Sequence, residues 1–381
     1  MKHLISIILI IVSVQIQGKS SKTIACNIYG SIPETENNRG YGISSAGVGI
    51  LNDKLILIGG SNFSEAYPWD GGRKVFLNDM LIAEKTNDDS IVWLKQPYQF
   101  PVRISNSIAI GDGKTLYILG GLNDAETNKK VFKLYFNNSD SLITETFSTL
   151  PDLFTPTGGA IHNQLLYITG HAATENVLYI FNPATGCWSK NIGLPGGIRS
   201  DALTTIQYEM GDSSKIYIFG GRHIDDNKLI IYNDFWSYSF DKQRWNHEGI
   251  MGVPKLKPLI MMATPAITST NGEIYFFGGD EGIRLKRRFE LEKRITKSHG
   301  KHKEKYIKKL RRLYVKHSGF SNTIICYNTN LNSWKEVGKT NIRNLPVATT
   351  AIWWRNKIIL PAGELKPGIR SNNILEIDLN K

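Results

Sequence analysis

The sequence predicts an all-β protein, a six-bladed β-propeller in which small sheets stand radially around one axis. Two observations carry this expectation. A β-rich run closed by paired glycines, or by a near relative of that pair, recurs six times. In three of the units an aromatic residue is followed seven positions later by tryptophan. Repeats of about fifty residues, each long enough for several strands, indicate sheets that bury their faces against their neighbours.

The runs are Leu55–Gly60, Leu116–Gly121, Leu166–His171, Ile216–Gly221, Ile274–Gly279 and Ile358–Gly363. The spaced pairs are Phe181/Trp188, Tyr238/Trp245 and Tyr327/Trp334, and Trp93 fits the same place in the first unit. Glycine permits close backbone approach near the axis, and the aromatics fill space between sheets. Together these features resemble the Kelch repeat.

Residues 23–32 read as a strand closing the last blade, because the sixth unit stops after Asp378 without an outer tryptophan strand. Pairing the two ends removes a free sheet edge. The propeller is expected over 20–381, interrupted in its fifth unit by a basic helical insertion at 284–317. There Phe289 and Ile295 are scattered, while Tyr306, Ile307, Leu310, Leu313 and Tyr314 recur at helical spacing.

The formal charge of +12 is local to this insertion. Residues 284–316 hold 15 basic and 3 acidic side chains, which leaves 31 of each sign elsewhere. The cationic run reads as a solvated helix face or as a means of attracting acidic ligands. It lacks the regular aromatic interleaving of a nucleic-acid surface, so no nucleic-acid partner is expected.

Residues 1–19 read as a signal peptide, with the apolar run Leu4–Val14 behind Lys2. An exported, periplasmic protein without stable membrane insertion is therefore expected. Cys26, Cys187 and Cys326 match no zinc spacing and make no disulfide scaffold, although one pair is open. Lys19 and Lys22 separate Cys26 from the apolar run, against lipoprotein anchoring.

The last unit carries the chemistry. Gly363-Glu-Leu-Lys-Pro-Gly-Ile-Arg370 places one carboxylate and two cations on a tight turn set by Pro367-Gly368. Taken alone it reads either as acid–base machinery or as a surface turn with ordinary charges. This loop is similar to the Glu-x-Lys-Pro-Gly-x-Arg loop of the N-acetylneuraminate epimerases, the sialic acid mutarotases. Gly59-Gly-Ser-Asn-Phe63 and Pro68-Trp-Asp-Gly-Gly-Arg-Lys74 look like a signature of the cyclically permuted branch, and Pro195–Asp201 resembles another loop of the family. Ala362 stands where that family usually has asparagine.

The resemblance implies an isomerase that interconverts the α and β anomers of N-acetylneuraminate by acid–base ring opening, with no cofactor and no metal. It makes Glu364 and Arg370 the functional pair; the chemistry of ring opening then suggests Glu364 as base and Arg370 on the sugar carboxylate. Arg199 is a second candidate clamp or an inter-blade salt bridge. Asn62 is a candidate sugar-hydroxyl ligand or a turn cap, and Lys366 a neighbour that tunes Glu364. Trp69 reads as blade packing before sugar stacking. The alternatives are a non-catalytic Kelch scaffold that binds a protein or glycan, and a mutarotase for another sugar.

Overall fold

The computed structural model describes residues 22–95, 98–124, 126–151, 154–207, 214–253, 262–280 and 282–379, so the expected leader lies outside the described residues. The chain is an all-β propeller whose main strands fall into six four-stranded antiparallel sets in chain order. The first set uses Gly47–Leu51, Lys54–Ile58, Met80–Lys85 and Ile91–Trp93. The fifth uses Ala266–Thr268, Glu273–Phe277, Thr323–Asn328 and Ser333–Thr340. Thr23–Ser31 joins Ile352–Trp354, Lys357–Pro361 and Asn373–Asp378 in the sixth. There Cys26 lies opposite Ile377, and a short parallel contact, Thr23 with Lys339, ties this strand to the fifth set.

Apolar clusters between consecutive sets hold the ring. Ile56 and Ile82 of the first set pack with Ile118 and Phe132 of the second. Leu57 packs with Trp354 and Ile359 of the sixth. Ile24 and Leu360 of the sixth pack with Phe277 and Ile324 of the fifth. Each such side chain, fully buried, contributes about 1.5–3 kcal/mol. Trp353 Nε1 donates to Thr268 O at 2.9 Å, linking the inner strands of the sixth and fifth sets.

The spaced aromatic and tryptophan are cross-strand partners: Phe181 faces Trp188, Tyr238 faces Trp245 and Tyr327 faces Trp334. The indoles also reach the preceding set. Trp188 Nε1 donates to Ser148 Oγ at 3.0 Å, and Trp245 Nε1 to Ile192 O at 2.8 Å. In the first set Trp93 Nε1 donates to Ser31 O at 2.8 Å, so the same bond reaches the N-terminal strand.

The glycine pairs have a conformational cause. Gly59 and Gly60 have φ of 61° and 95°, and Gly220 and Gly221 have 58° and 93°, the left-handed region that L side chains avoid. Ala362 and Gly363 repeat the turn with φ of 61° and 98°, so alanine takes up here a conformation that glycine or asparagine adopts more easily. In the third unit the strand Leu165–His171 runs straight through Gly170-His171, and no such turn forms.

Cys26 and Cys326 are buried free thiols, both pushed up to about 12 chiefly by burial, and Cys187 is exposed and free. Among the described residues no helix is long and apolar enough to cross a membrane.

Gly59→Ala is expected to lower stability by upward of about 2 kcal/mol in urea unfolding, since it adds left-handed strain. The new Cβ would also lie 2.2 Å from Ile104 O. Ala362→Gly should be close to neutral, because relief of about 1 kcal/mol of strain offsets loss of a buried methyl worth about 0.8 kcal/mol.

Candidate functional site

Two helices, α1 (Ile283–Lys297) and α2 (Gly300–Val315), lie between the second and third strands of the fifth set. Their anchors reach across the face of the propeller. Arg311 pairs with Asp70 at 3.0 Å, the Tyr314 ring meets Trp69 at 5.9 Å, and Lys293 Nζ donates to Asn227 O at 3.1 Å. Asp70 belongs to the first unit and Asn227 to the fourth, so the hairpin spans several blades.

Beneath it is a cleft of about 780 Å³ counted out to its open mouth. Leu285, Leu313, Tyr314, Phe320, Met262 and Val347 form its apolar wall. Its charged wall comes from three units: Asp201 and Arg222 from the fourth, Asp280 with the insertion's Arg284 and Arg288 from the fifth, and Glu364 from the sixth. His317, just beyond α2, completes it.

Glu364 is held on a short hairpin. Its backbone exchanges bonds with Val347 at 2.7 and 2.9 Å, and the strands Glu364–Lys366 and Ile369–Arg370 set Glu364 opposite Arg370. Gly368, at φ 87°, turns the chain so that its own N–H donates to Glu364 Oε1 at 2.6 Å. Arg370 Nη1 forms an ion pair with the same oxygen. The Arg370 side chain is only 4% exposed, its guanidinium lies 5.0 Å from the Phe63 ring centre, and its Nε has no hydrogen-bond partner among the described residues. Carboxylate and guanidinium thus meet, and the carboxylate is the partner that reaches the cleft.

The other expected site residues do not join this pair. Arg199 is buried, with Nη1 and Nη2 each donating to an Asp234 carboxylate oxygen at 2.8 Å and its guanidinium 4.2 Å from the Tyr232 ring centre. Burial opposes ionisation of Asp234; the Arg199 bonds outweigh it and hold the carboxyl below its ordinary value. Arg199 therefore forms a salt bridge away from the cleft wall. Asn62 is fully buried, with Nδ2 donating to Asn38 O at 2.9 Å and Oδ1 without a hydrogen-bond partner among the described residues. Lys366 is half-buried beside Glu364, and its charge reaches His317. Trp69 stacks on Tyr67 at 4.6 Å, a packing role.

Sequence reasoning missed Arg222 and His317. Arg222 follows the Gly220-Gly221 turn directly and donates from Nε to Asp201 Oδ2 at 2.6 Å. Its position after a glycine pair, matching that of Glu364 after Gly363, was the available signal. His317 is buried, and its Nδ1 accepts the Gly319 N–H at 3.0 Å, which puts the neutral ring's proton on Nε2. Burial lowers its pKa from 6.5; Asp280 and Glu364 oppose the shift, while Arg284 and Lys366 add to it. Nothing in the local sequence marked it. Among the described residues no group of three or more His, Cys, Asp or Glu converges to hold a metal ion.

A family model described as N-acetylneuraminate epimerase matches residues 147–381. The chain is 26% identical over 239 residues to an N-acetylneuraminate epimerase of Salmonella enteritidis PT4, covering 60% of this chain and 57% of that protein. It is 28% identical over 228 residues to N-acetylneuraminate epimerase 1 of Escherichia coli O6:H1, covering 58% and 57%. The match thus spans less than two thirds of the length of these relatives.

His317 ties stability to pH. Its folded pKa lies below the ordinary 6.5, so the folded state binds this proton less readily than the unfolded state. The group costs no stability above the ordinary value and an increasing amount as pH falls below it. Unfolding free energies at about pH 7.5 and about pH 5.5 should differ less in His317→Gln than in the parent protein. An equal difference would remove His317 as the cause.

Proposed function

Because the chain belongs to the N-acetylneuraminate epimerase family, we propose that it is an isomerase interconverting the α and β anomers of N-acetylneuraminate in the cleft beneath the helices. The observation that carries this reading is a fixed carboxylate, Glu364, in a cleft that also presents the guanidinium groups of Arg222, Arg284 and Arg288, with Asp201 paired to Arg222 and Asp280 on the same wall. A guanidinium on this wall gives the carboxylate of an acidic sugar a partner that a neutral sugar would leave unused.

Anomerisation removes the proton of the anomeric hydroxyl, opens the ring by returning an electron pair to the ring oxygen, and recloses on the other face. Glu364 takes the first proton and gives it back on reclosure. The Gly368 N–H and Arg370 hold one carboxylate oxygen, so the other is the one directed to substrate. In this reading Arg370 positions Glu364. Its ion pair and its burial favour that task over the direct grip on the sugar carboxylate expected from sequence. Arg222, which lines the cleft and is 30% exposed, is better placed for that grip, and a guanidinium matches a carboxylate through two parallel bonds.

The insertion adds reach. Its surplus of cations stands over the cleft mouth and attracts an anionic sugar from a distance. We also propose export, on the apolar run Leu4–Val14 behind Lys2.

Glu364→Gln should reduce anomer exchange, read by two-dimensional exchange NMR, by about 10²–10⁴ toward the spontaneous rate. Its circular dichroism should stay native, and undiminished exchange removes Glu364 from the reaction. Arg222→Ala should weaken N-acetylneuraminate binding by about 1.5–3 kcal/mol in titration calorimetry. Raising salt should lower kcat/KM, and a salt-independent value contradicts steering by the helices.

A further inference from the structure

Ring opening needs an acid at the ring oxygen as well as a base at the anomeric hydroxyl. The segment Pro68–Lys74 leads to it. Its Pro68–Asp70 turn is locked by Gly71 N to Pro68 O at 3.3 Å and Gly72 N to Tyr67 O at 2.9 Å. A Cβ on Gly72 would lie 1.6 Å from Ala66 O, so only glycine fits there. The Glu364 hairpin rests on this turn: a Cβ on Gly368 would meet Pro68 Cδ at 2.9 Å and Trp69 Cζ3 at 3.0 Å. On its far side Val75 pairs with Asn62. Lys74 is thus fixed between a rigid turn and a strand that are both packed into the face.

From there Lys74 feels the charges of Arg370 and Glu364 in the sixth unit and of Asp201 and Arg222 in the fourth. Among the described residues its ammonium has neither a hydrogen bond nor an ion pair, unlike the guanidinium groups of Arg222 and Arg370. The side chain is exposed to water and stands outside the cleft wall named above, yet the protein around it is dense enough that desolvation lowers its pKa. Arg370 and Arg222 push the same way, and Glu364 and Asp201 oppose them.

The other candidates serve less well. Burial pushes the Tyr314 hydroxyl up, which makes it a weaker acid. A neutral His317 that gave up its Nε2 proton would be left as imidazolate.

We infer that Lys74 is the catalytic acid of the reaction proposed above, protonating the ring oxygen of an acidic sugar while Glu364 deprotonates the anomeric hydroxyl. The ring C–O bond breaks with its electron pair on the ring oxygen, which takes a proton from the Lys74 ammonium. The anomeric carbon becomes a ketone as Glu364 receives the hydroxyl proton. Reclosure reverses both transfers, so enzyme and sugar end with the protons they began with. Burial tunes an ordinary lysine toward this work, because an acid acts best when its pKa lies near the operating pH.

The test compares anomer exchange of N-acetylneuraminate by NMR across pH in the parent protein, Lys74→Arg and Lys74→Met. The parent rate should fall on the alkaline side as Lys74 loses its proton. Lys74→Arg keeps the charge but cannot yield a proton, and it should lose about 10²-fold in rate together with the alkaline limb. Lys74→Met should lose at least as much, and native circular dichroism in Lys74→Arg separates chemistry from folding. If Lys74→Arg keeps both the rate and the limb, Lys74 acts only through its charge and the assignment is overturned. If the parent protein itself leaves exchange at the spontaneous rate, the reading of the reaction fails, and Lys74 with it.

Discussion

The site depends on a backbone constraint, the left-handed pair of residues at or near the end of the second strand in five of the six units. Two consecutive residues at positive φ bend the chain at this point. The next residue is thereby set on the cleft wall: Arg222 after Gly220-Gly221, Asp280 after Gly278-Gly279 and Glu364 after Ala362-Gly363. Ser61 and Asn62 follow the corresponding turn of the first unit and are buried beneath it. The glycine repeat that marks the fold therefore also decides where the polar residues of the cleft stand. Alanine at 362 keeps the geometry at a local cost, and the Glu364 hairpin is built on it.

The fold was legible because its signals are local and repeated. Each Gly-Gly pair meets a φ requirement of its own strand, and each aromatic–tryptophan pair is a single cross-strand contact. The N-terminal strand was legible for a related reason: the sixth unit lacked an outer strand, and Thr23–Ser31 pairs with Asn373–Asp378. The meeting of Glu364 and Arg370 was also readable, since they are opposed across one short hairpin.

What could not be read depends on contacts between distant units. Whether an arginine after a glycine turn faces a cleft or a buried carboxylate is decided by a partner far along the chain. For Arg199 that partner is Asp234, which takes both terminal nitrogens; for Arg222 it is Asp201, which takes only Nε among the bonds seen here. Lys74 gains its character from charges in the fourth and sixth units, and His317 from burial under the end of a helix. The spacing of Leu313 and Tyr314 marked helix α2 in the sequence. It did not reveal that these two side chains roof the cleft.

Opposite charges are mixed along the cleft. Glu364 is fixed by Arg370 and the Gly368 N–H, and Arg222, Arg284 and Arg288 share the wall with Asp201 and Asp280, so in this account the sugar carboxylate is met by a guanidinium that Asp201 already orients. The most direct measurement is a crystal structure of the Glu364→Gln protein soaked with N-acetylneuraminate. The account predicts the anomeric hydroxyl within hydrogen-bond distance of residue 364 and the sugar carboxylate on Arg222, beneath helices α1 and α2. A sugar bound elsewhere on the propeller, or one in the cleft with its carboxylate turned away from the arginines, would contradict it.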